Sequence, residues 1–546
     1  MPDQTPAIYF HQDAIEGKGR DLVGRRSAGS SFLKGWLRTL DAETVPLVVD
    51  GQRDEKACRA ALADMGETRP LEISTISGRP EWQKHGCIFF PGPGYQAAPW
   101  VRQRIGAASC SLVGITHTVS TARVVRGLHD LLSEPVEDWD AIICTSRAVH
   151  GVTQRLMDEA AEHYRTRFGA TRMPRPQLPI IPLGIETADF APRAGARASF
   201  RDRCQVPENG IVIMSMGRLS VVEKANPIPL LLAANILSAS LDRPVHVWIC
   251  GWTNRKEEEA LHQLAAKHMA GKATVRILDG RDPTVRRDVW AAADIFTLPV
   301  DSIQETFGLV PVEAMAAGLP VVMPDWDGFR DTVVDGETGF LVPTRMAHPG
   351  FGPELGARIF DSRDGYLQHL VQVQGQVVLD IPAYAEALGR LAQDDDLRAT
   401  MGAAAQAHVR RHFDWSGIAP RYLELADTLA LARAAGEPVP ASSHLELDPF
   451  SLYAGYPSGR IEPDTRVSLR LSPRSETWAL LQEVSGRKLY QRGHIPQERV
   501  ADVCRVLADG PASAAQIADR IGIAPDLALT IVASLLKFDL ARLETP

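Results

Sequence analysis

The sequence predicts an α/β protein with two doubly wound domains, each built on a parallel sheet, followed by a small, mainly helical module. Three observations carry this expectation. Short apolar runs alternate with longer helical patterns through the first two-thirds of the chain, which implies parallel strands covered on both faces. The alternation comes in two series, parted by a polar stretch near residue 200. After the Pro/Ser-rich stretch AGEPVPASSHLELDP (435–449), the tail holds three helical patterns broken at ADGP and GIAP. That last pattern is winged-helix-like. The expected domains cover 1–195, 205–434 and 450–546.

In chain order, the first series of strands is AIYF (7–10), VPLVV (45–49), CIFF (87–90), SLVGIT (111–116), AIICTS (141–146) and PIIPL (179–183). ARASFRDRCQVPENG (196–210) is polar and irregular and reads as an interdomain linker. The second series is IVIMSM (211–216), VHVWIC (245–250), TVRIL (274–278), DIFTLP (294–299) and PVVMP (320–324). EEALHQLAAKHM (258–269) and RDVWAAA (287–293) are helical patterns between them. Residues 345–380 read as an insertion, and RATMGAAAQAHVRRHF (398–413) as a long helical pattern preceding DWSGIAPRYLELADTLALARA (414–434). In doubly wound sheets, ligands bind beyond the carboxyl ends of the strands.

Composition bounds the function. The 546 residues carry a net charge of −8 with a pI near 6.0, which gives no electrostatic footprint for nucleic acid or an anionic membrane. The seven cysteines are scattered, without a C-x-x-C pair; they read as reduced core residues. The N-terminus lacks a basic region followed by an apolar one, and no apolar stretch nears the ~20 residues that span a bilayer. The expected location is the cytoplasm, peripheral to a membrane if the substrate is a lipid. No metal site follows from the spacing of acids, histidines and cysteines.

The most informative stretch is SIQETFGLVPVEAMAAGLPVV (302–322). It reads as loop, helix and strand, with Pro311 in the first helical turn and Gly318 with Pro320 ending the helix. The helix N-terminus then lies at the carboxyl edge of the sheet. There the amides of Phe307, Gly308 and Leu309 are expected to face a ligand phosphate. Glu305 lies in the loop and Glu313 in the first turn. Carboxylates accept hydrogen bonds and donate none, which suits the hydroxyls of sugars. The plain alternative is that Glu313 compensates the helix dipole.

This stretch, with DGETGFLVP (335–343) after it, resembles the E-x7-E signature of retaining glycosyltransferases with the GT-B fold, glycosyltransferase family 4 (glycosyl transferases group 1). The resemblance covers about residues 7–432 and omits the tail. It implies two Rossmann-like domains facing a cleft, a nucleotide diphosphate sugar as donor, and an acceptor hydroxyl. It implies that Glu305 contacts the donor sugar, Phe307–Leu309 sugar and phosphate, and Glu313 the ribose. In SMGRLSVVEKANP (215–227), Arg218 and Lys224 resemble the family's diphosphate clamp, which stabilises the leaving group without a metal. The common form has one residue fewer between them, and glycine where Ala225 stands. His117, in SLVGITHTVST (111–121), matches a histidine that contacts the donor sugar. Gly29, in GKGRDLVGRRSAGSSFLKGWL (17–37), matches a glycine-rich loop against the donor phosphate; Arg20, Arg25 and Arg26 share that loop. On residue pattern alone, each of these also has a structural reading as a solvated charge, a packed imidazole or a surface loop.

Rival readings are a catalytically silent sugar-nucleotide-binding scaffold, an epimerase or phosphorylase of the same fold, and a DNA-binding regulator acting through the tail. In residues 501–546, Arg505, Arg520, Lys537 and Arg542 face six acids. DNA binding needs phosphate neutralisation, so the tail is expected to dock a protein partner or self-associate.

Overall fold

A computed structural model describes residues 4–12, 24–77, 80–441, 447–471 and 497–544, with isolated positions at 476, 480 and 483. Arg20 lies outside the described residues, as do the side chains of Arg25 and Arg26. Residues 1–442 form one compact unit and 443–546 another.

The first unit holds two six-stranded sheets. The first is built from β1 (Ala7–Tyr9), β2 (Val45–Val49), β3 (Leu71–Thr75), β4 (Cys87–Phe89), β5 (Ser111–Ile115) and β6 (Ala141–Ile143). The second contains β7 (Ile211–Met216), β8 (Val245–Gly251), β9 (Thr274–Asp279), β10 (Ile295–Thr297), β11 (Val321–Pro324) and β12 (Gly339–Val342). All neighbours pair in parallel. The orders are β3-β2-β1-β4-β5-β6 and β12-β11-β10-β7-β8-β9. Both are the doubly wound order, which reverses once, between β1 and β4 and between β7 and β10. This is the GT-B arrangement of two Rossmann-like lobes.

The strands read as continuous apolar runs because both faces are buried. Ile8, Leu47, Phe89 and Val113 enter one core, while Tyr9, Val48, Phe90 and Leu112 enter the other. The second lobe repeats this with Val212 and Met214 against Ile211 and Ile213. Alternate side chains on a strand point to opposite faces.

The structure corrects several expectations. PIIPL joins no sheet and makes only a single bridge, Cys144 to Ile180. Pro179 and Pro182 lack the N–H a ladder needs. β3 and β12 were not anticipated; β3 is only half buried along its length, and β12 lies inside the DGETGFLVP motif. The stretch near residue 200 contains a helix, Ala196–Arg203. Arg201 bonds Asp294 at 3.0 Å, and Asp294 accepts the Val212 amide at 2.7 Å, so this polar segment is bolted to the second sheet. The helix Trp415–Ala435 packs on the helix Gly24–Thr39, and its apolar residues from Trp415 to Leu429 join the first lobe's core.

The insertion is an antiparallel pair, β13 (Thr344–Met346) and β14 (Val377–Leu379), enclosing the helices Pro353–Phe360 and Tyr366–Gln374. All seven cysteines are buried and free. Among the described residues, no helix is long and apolar enough to cross a membrane.

The second unit packs helices Gln497–Ala508, Ala514–Ile521 and Pro525–Lys537 on an antiparallel sheet of β15 (Arg466–Leu469), β16 (Ala512–Ser513) and β17 (Ala541–Leu543). Ser513 and Gln516 form a reciprocal capping box, and Gly522 ends that helix with φ +64°. This is a winged-helix-like build.

Candidate functional site

The two loops at the second sheet's switch point carry the charged candidates. After β7, Gly217 leads into Arg218 and Lys224. After β10, the chain runs through Leu298 to Glu305. The Lys224 ammonium meets the Glu305 carboxylate at 2.6 Å, with side chains 21% and 15% exposed. Burial alone would push the Glu305 carboxyl up. The Lys224 charge and hydrogen bonds from the amides of Thr306 and Gly308 outweigh it and hold the carboxyl below its ordinary range.

Gly308 explains how the loop turns there. Its φ is +83°, and a Cβ would lie 2.2 Å from the Phe329 ring, so only glycine fits. The turn makes Gly308 the N-cap of the helix Leu309–Ala316. Glu313 is therefore one turn later than expected. The Phe307 ring is 1% exposed and packs against Phe413. The Gly308 amide is directed at Glu305.

Glu313 is half-buried and lines a groove of about 730 Å³ with Leu309 and, from the first lobe, Ser30, Ser31 and Lys34. That volume suits a ligand of nucleoside size or larger. Burial pushes the Glu313 carboxyl up to about 7, against the pull of Lys224. Arg218 lies on the same loop after β7 as Lys224. It makes a long 3.5 Å contact with Glu223 and is 35% exposed.

His117 comes from the first lobe, just beyond β5. Its ring Nε2 reaches the Pro91 carbonyl at 3.0 Å, and its own carbonyl accepts from the Thr306 hydroxyl at 2.6 Å. The residue after Glu305 therefore touches the histidine directly. Gly29 lies within the helix Gly24–Thr39, not in a loop, and shares a cavity with His117. The structure thus pairs Glu305 with Lys224, brings the His117 backbone to Thr306 beside them, and leaves Glu313 under the influence of the Lys224 charge. Arg218 pairs with Glu223, and Gly29 lines a first-lobe cavity that His117 also lines.

Two features were missed. Asp327 has φ +44°, and its Oδ2 is buried with no hydrogen-bond partner among the described residues. Burial, and then the Glu305 charge, push its carboxyl up to about 8. The sequence signal was the Asp-Gly pair inside DWDGFRD, a turn dipeptide. The second is Tyr366, on the insertion: its hydroxyl meets the first-lobe Ser120 hydroxyl at 2.8 Å and Gln304 at 3.4 Å. Nothing in an insertion's sequence indicates which side it folds toward.

Comparison with known proteins adds relatives. The family model described as glycosyl transferases group 1 matches residues 197–348. A D-inositol 3-phosphate glycosyltransferase of Corynebacterium jeikeium is 31% identical over 331 residues, covering 60% of this chain and 69% of that protein. The protein of the same description from Corynebacterium diphtheriae is 27% identical over 332 residues, covering 59% and 67%. Among solved structures, HepE of Anabaena in complex with UDP and glucose aligns with 78% of this chain and 100% of its own, at 16% identity and a TM-score of 0.49. By the match of its second lobe to the family model and the extent of the first relative, the chain belongs to the glycosyl transferases group 1, a family of glycosyltransferases.

Proposed function

We propose that the protein is a retaining glycosyltransferase of family 4, moving a sugar from a nucleotide diphosphate sugar to an acceptor hydroxyl. The observation that supports this most is the Lys224–Glu305 pair at the second lobe's switch point, one residue from the Thr306–His117 contact. Glu305 accepts hydroxyls of the donor sugar, and Glu313 accepts the ribose hydroxyls. Lys224, freed in part from Glu305 by the incoming phosphates, and Arg218 meet the charge that grows on the diphosphate. The anomeric C–O bond to the diphosphate breaks as the acceptor oxygen bonds to the same carbon from the same face. The acceptor's proton passes to the leaving phosphate. Fixed cations take the leaving charge, so no metal is required in this scheme. The lobes close over the donor and limit hydrolysis.

We further assign the enzyme to the cytoplasm and the second unit to protein docking or self-association, which its near balance of charges favours over nucleic acid. The test is a screen of nucleotide sugars for release of free nucleoside diphosphate. One donor is expected to support release that Glu305→Ala and Lys224→Ala each abolish. Release by no donor, or unchanged rates in both variants, would overturn the reading.

A further inference from the structure

A cavity of about 80 Å³ lies in the first lobe, where its own sheet order reverses. By the same measure a single water needs about 10–15 Å³, so the space admits a ring or a short chain. It opens beside the carboxyl ends of β1, β4 and β5. Half-buried Phe32, Pro91 and His117 form its mouth, and Tyr9, Trp415 and Tyr422 its floor. Ring pairs line it: Phe32 lies 5.6 Å from Trp415 and 5.2 Å from Tyr422.

Two observations separate this cavity from an accidental packing void. First, it adjoins the proposed site: His117 lines it, and the His117 carbonyl accepts from the Thr306 hydroxyl beside Glu305. Second, Tyr422 is 2% exposed, lines the cavity, and its hydroxyl has no hydrogen-bond partner among the described residues. Burying an unpaired hydroxyl costs about 1–3 kcal/mol. A native chain retains such a group where a ligand atom or a water completes it.

We propose that this cavity seats the apolar portion of the acceptor, an aromatic ring or short alkyl chain whose one polar atom pairs with the Tyr422 hydroxyl. The acceptor's reacting hydroxyl then lies at the mouth, beside His117 and facing the donor held by Glu305. The apolar walls reward a ring or chain and leave a bare polyol without partners for most of its hydroxyls. This inference rests on the glycosyl-transfer reading for its role, though not for the existence of the site.

The experiment measures binding of p-cresol, toluene, 1-hexanol and glycerol to the full chain by titration calorimetry, beside a panel of nucleoside diphosphates. p-Cresol or 1-hexanol is expected to bind and glycerol not. Ile115→Trp, which fills the mouth from β5, should weaken that binding at least tenfold while leaving nucleoside diphosphate binding unchanged. Leu183→Trp, which also lines the cavity, replaces it if that variant does not fold. Tyr422→Phe should weaken p-cresol several-fold and leave toluene as tight or tighter, a split that a merely structural tyrosine would not produce. Binding of aryl probes alone or alkyl probes alone supports the proposal and names the class. Binding of glycerol alone, of none of the probes, or equally by both filled variants overturns it. If apolar probes bind as expected but no nucleoside diphosphate does, the cavity stands and the transferase reading fails. The reverse result sinks the cavity alone.

Discussion

At the scale of single residues, the site is a set of carboxyls held in different states by their surroundings. Glu305 stays ionised because Lys224 and two amides face it. Asp327, buried, close enough to feel that charge and with its Oδ2 unpartnered among the described residues, holds its proton to about 8. The unfolded chain releases that proton near 4. Unfolding therefore releases a proton between about pH 4 and 8, and rising pH favours it across that window. Asp327→Asn, which tolerates the left-handed backbone, should accordingly melt higher than the wild type at pH 8.5 and at the same temperature at pH 4; a constant difference would mean that ionisation is not the cause. Glu313, pushed to about 7, loses its full acceptor capacity below that pH. The donor KM should rise as pH falls through 7, and Glu313→Gln should flatten the profile. At Gly308, alanine should cost about 1–3 kcal/mol by denaturant titration, since positive φ and the Phe329 ring both oppose it. The glutamates were legible in the sequence because their spacing is local. The state of each was not, because Lys224 lies 81 residues from Glu305, and the charge on Asp327 depends on loops that meet only in the folded protein.

At the scale of elements, apolar runs announced most of the central strands, since a strand buried on both faces needs side chains of one kind throughout. The strands that escaped were β3, which is half exposed, and β12, hidden in a glycine-rich motif. PIIPL failed the other way, apolar yet barred from a ladder by its prolines. The insertion is the element whose purpose only its contacts reveal. Its helix Tyr366–Gln374 reaches Ser120 across the cleft and, through Gln374, the Val221 carbonyl at 2.8 Å. It thus touches both loops of the second lobe's switch point and the first lobe beside His117. Tyr366→Phe should raise donor hydrolysis a few-fold without acceptor, measured as nucleoside diphosphate release. Unchanged hydrolysis would reduce the helix to surface elaboration.

At the scale of the whole first unit, the lobes are joined by specific polar contacts. The Asp331 carboxylate accepts the Arg147 amide at 2.6 Å and pairs with its guanidinium. Thr306 and Tyr366 add theirs. Asp331→Ala should loosen this arrangement and enlarge the radius of gyration measured by small-angle X-ray scattering without donor; an unchanged radius would assign closure to the remaining contacts. One more property of the unit follows from Trp415. It sits between Gly35 and Gly184, where added Cβ atoms would lie 2.6 and 2.7 Å from its side chain, and its indole donates to Ser31 at 2.6 Å. The amino-terminal lobe is therefore finished by a residue made some 380 positions after the helix it completes. At about 5–20 residues per second on the ribosome, the nascent lobe waits tens of seconds with an open seam, while the carboxyl-terminal lobe matures behind it. A chain stopped at Asp414 would leave the later lobe's sheet intact and the earlier one unsealed, an inversion of the usual rule that what is synthesised first is first to become stable.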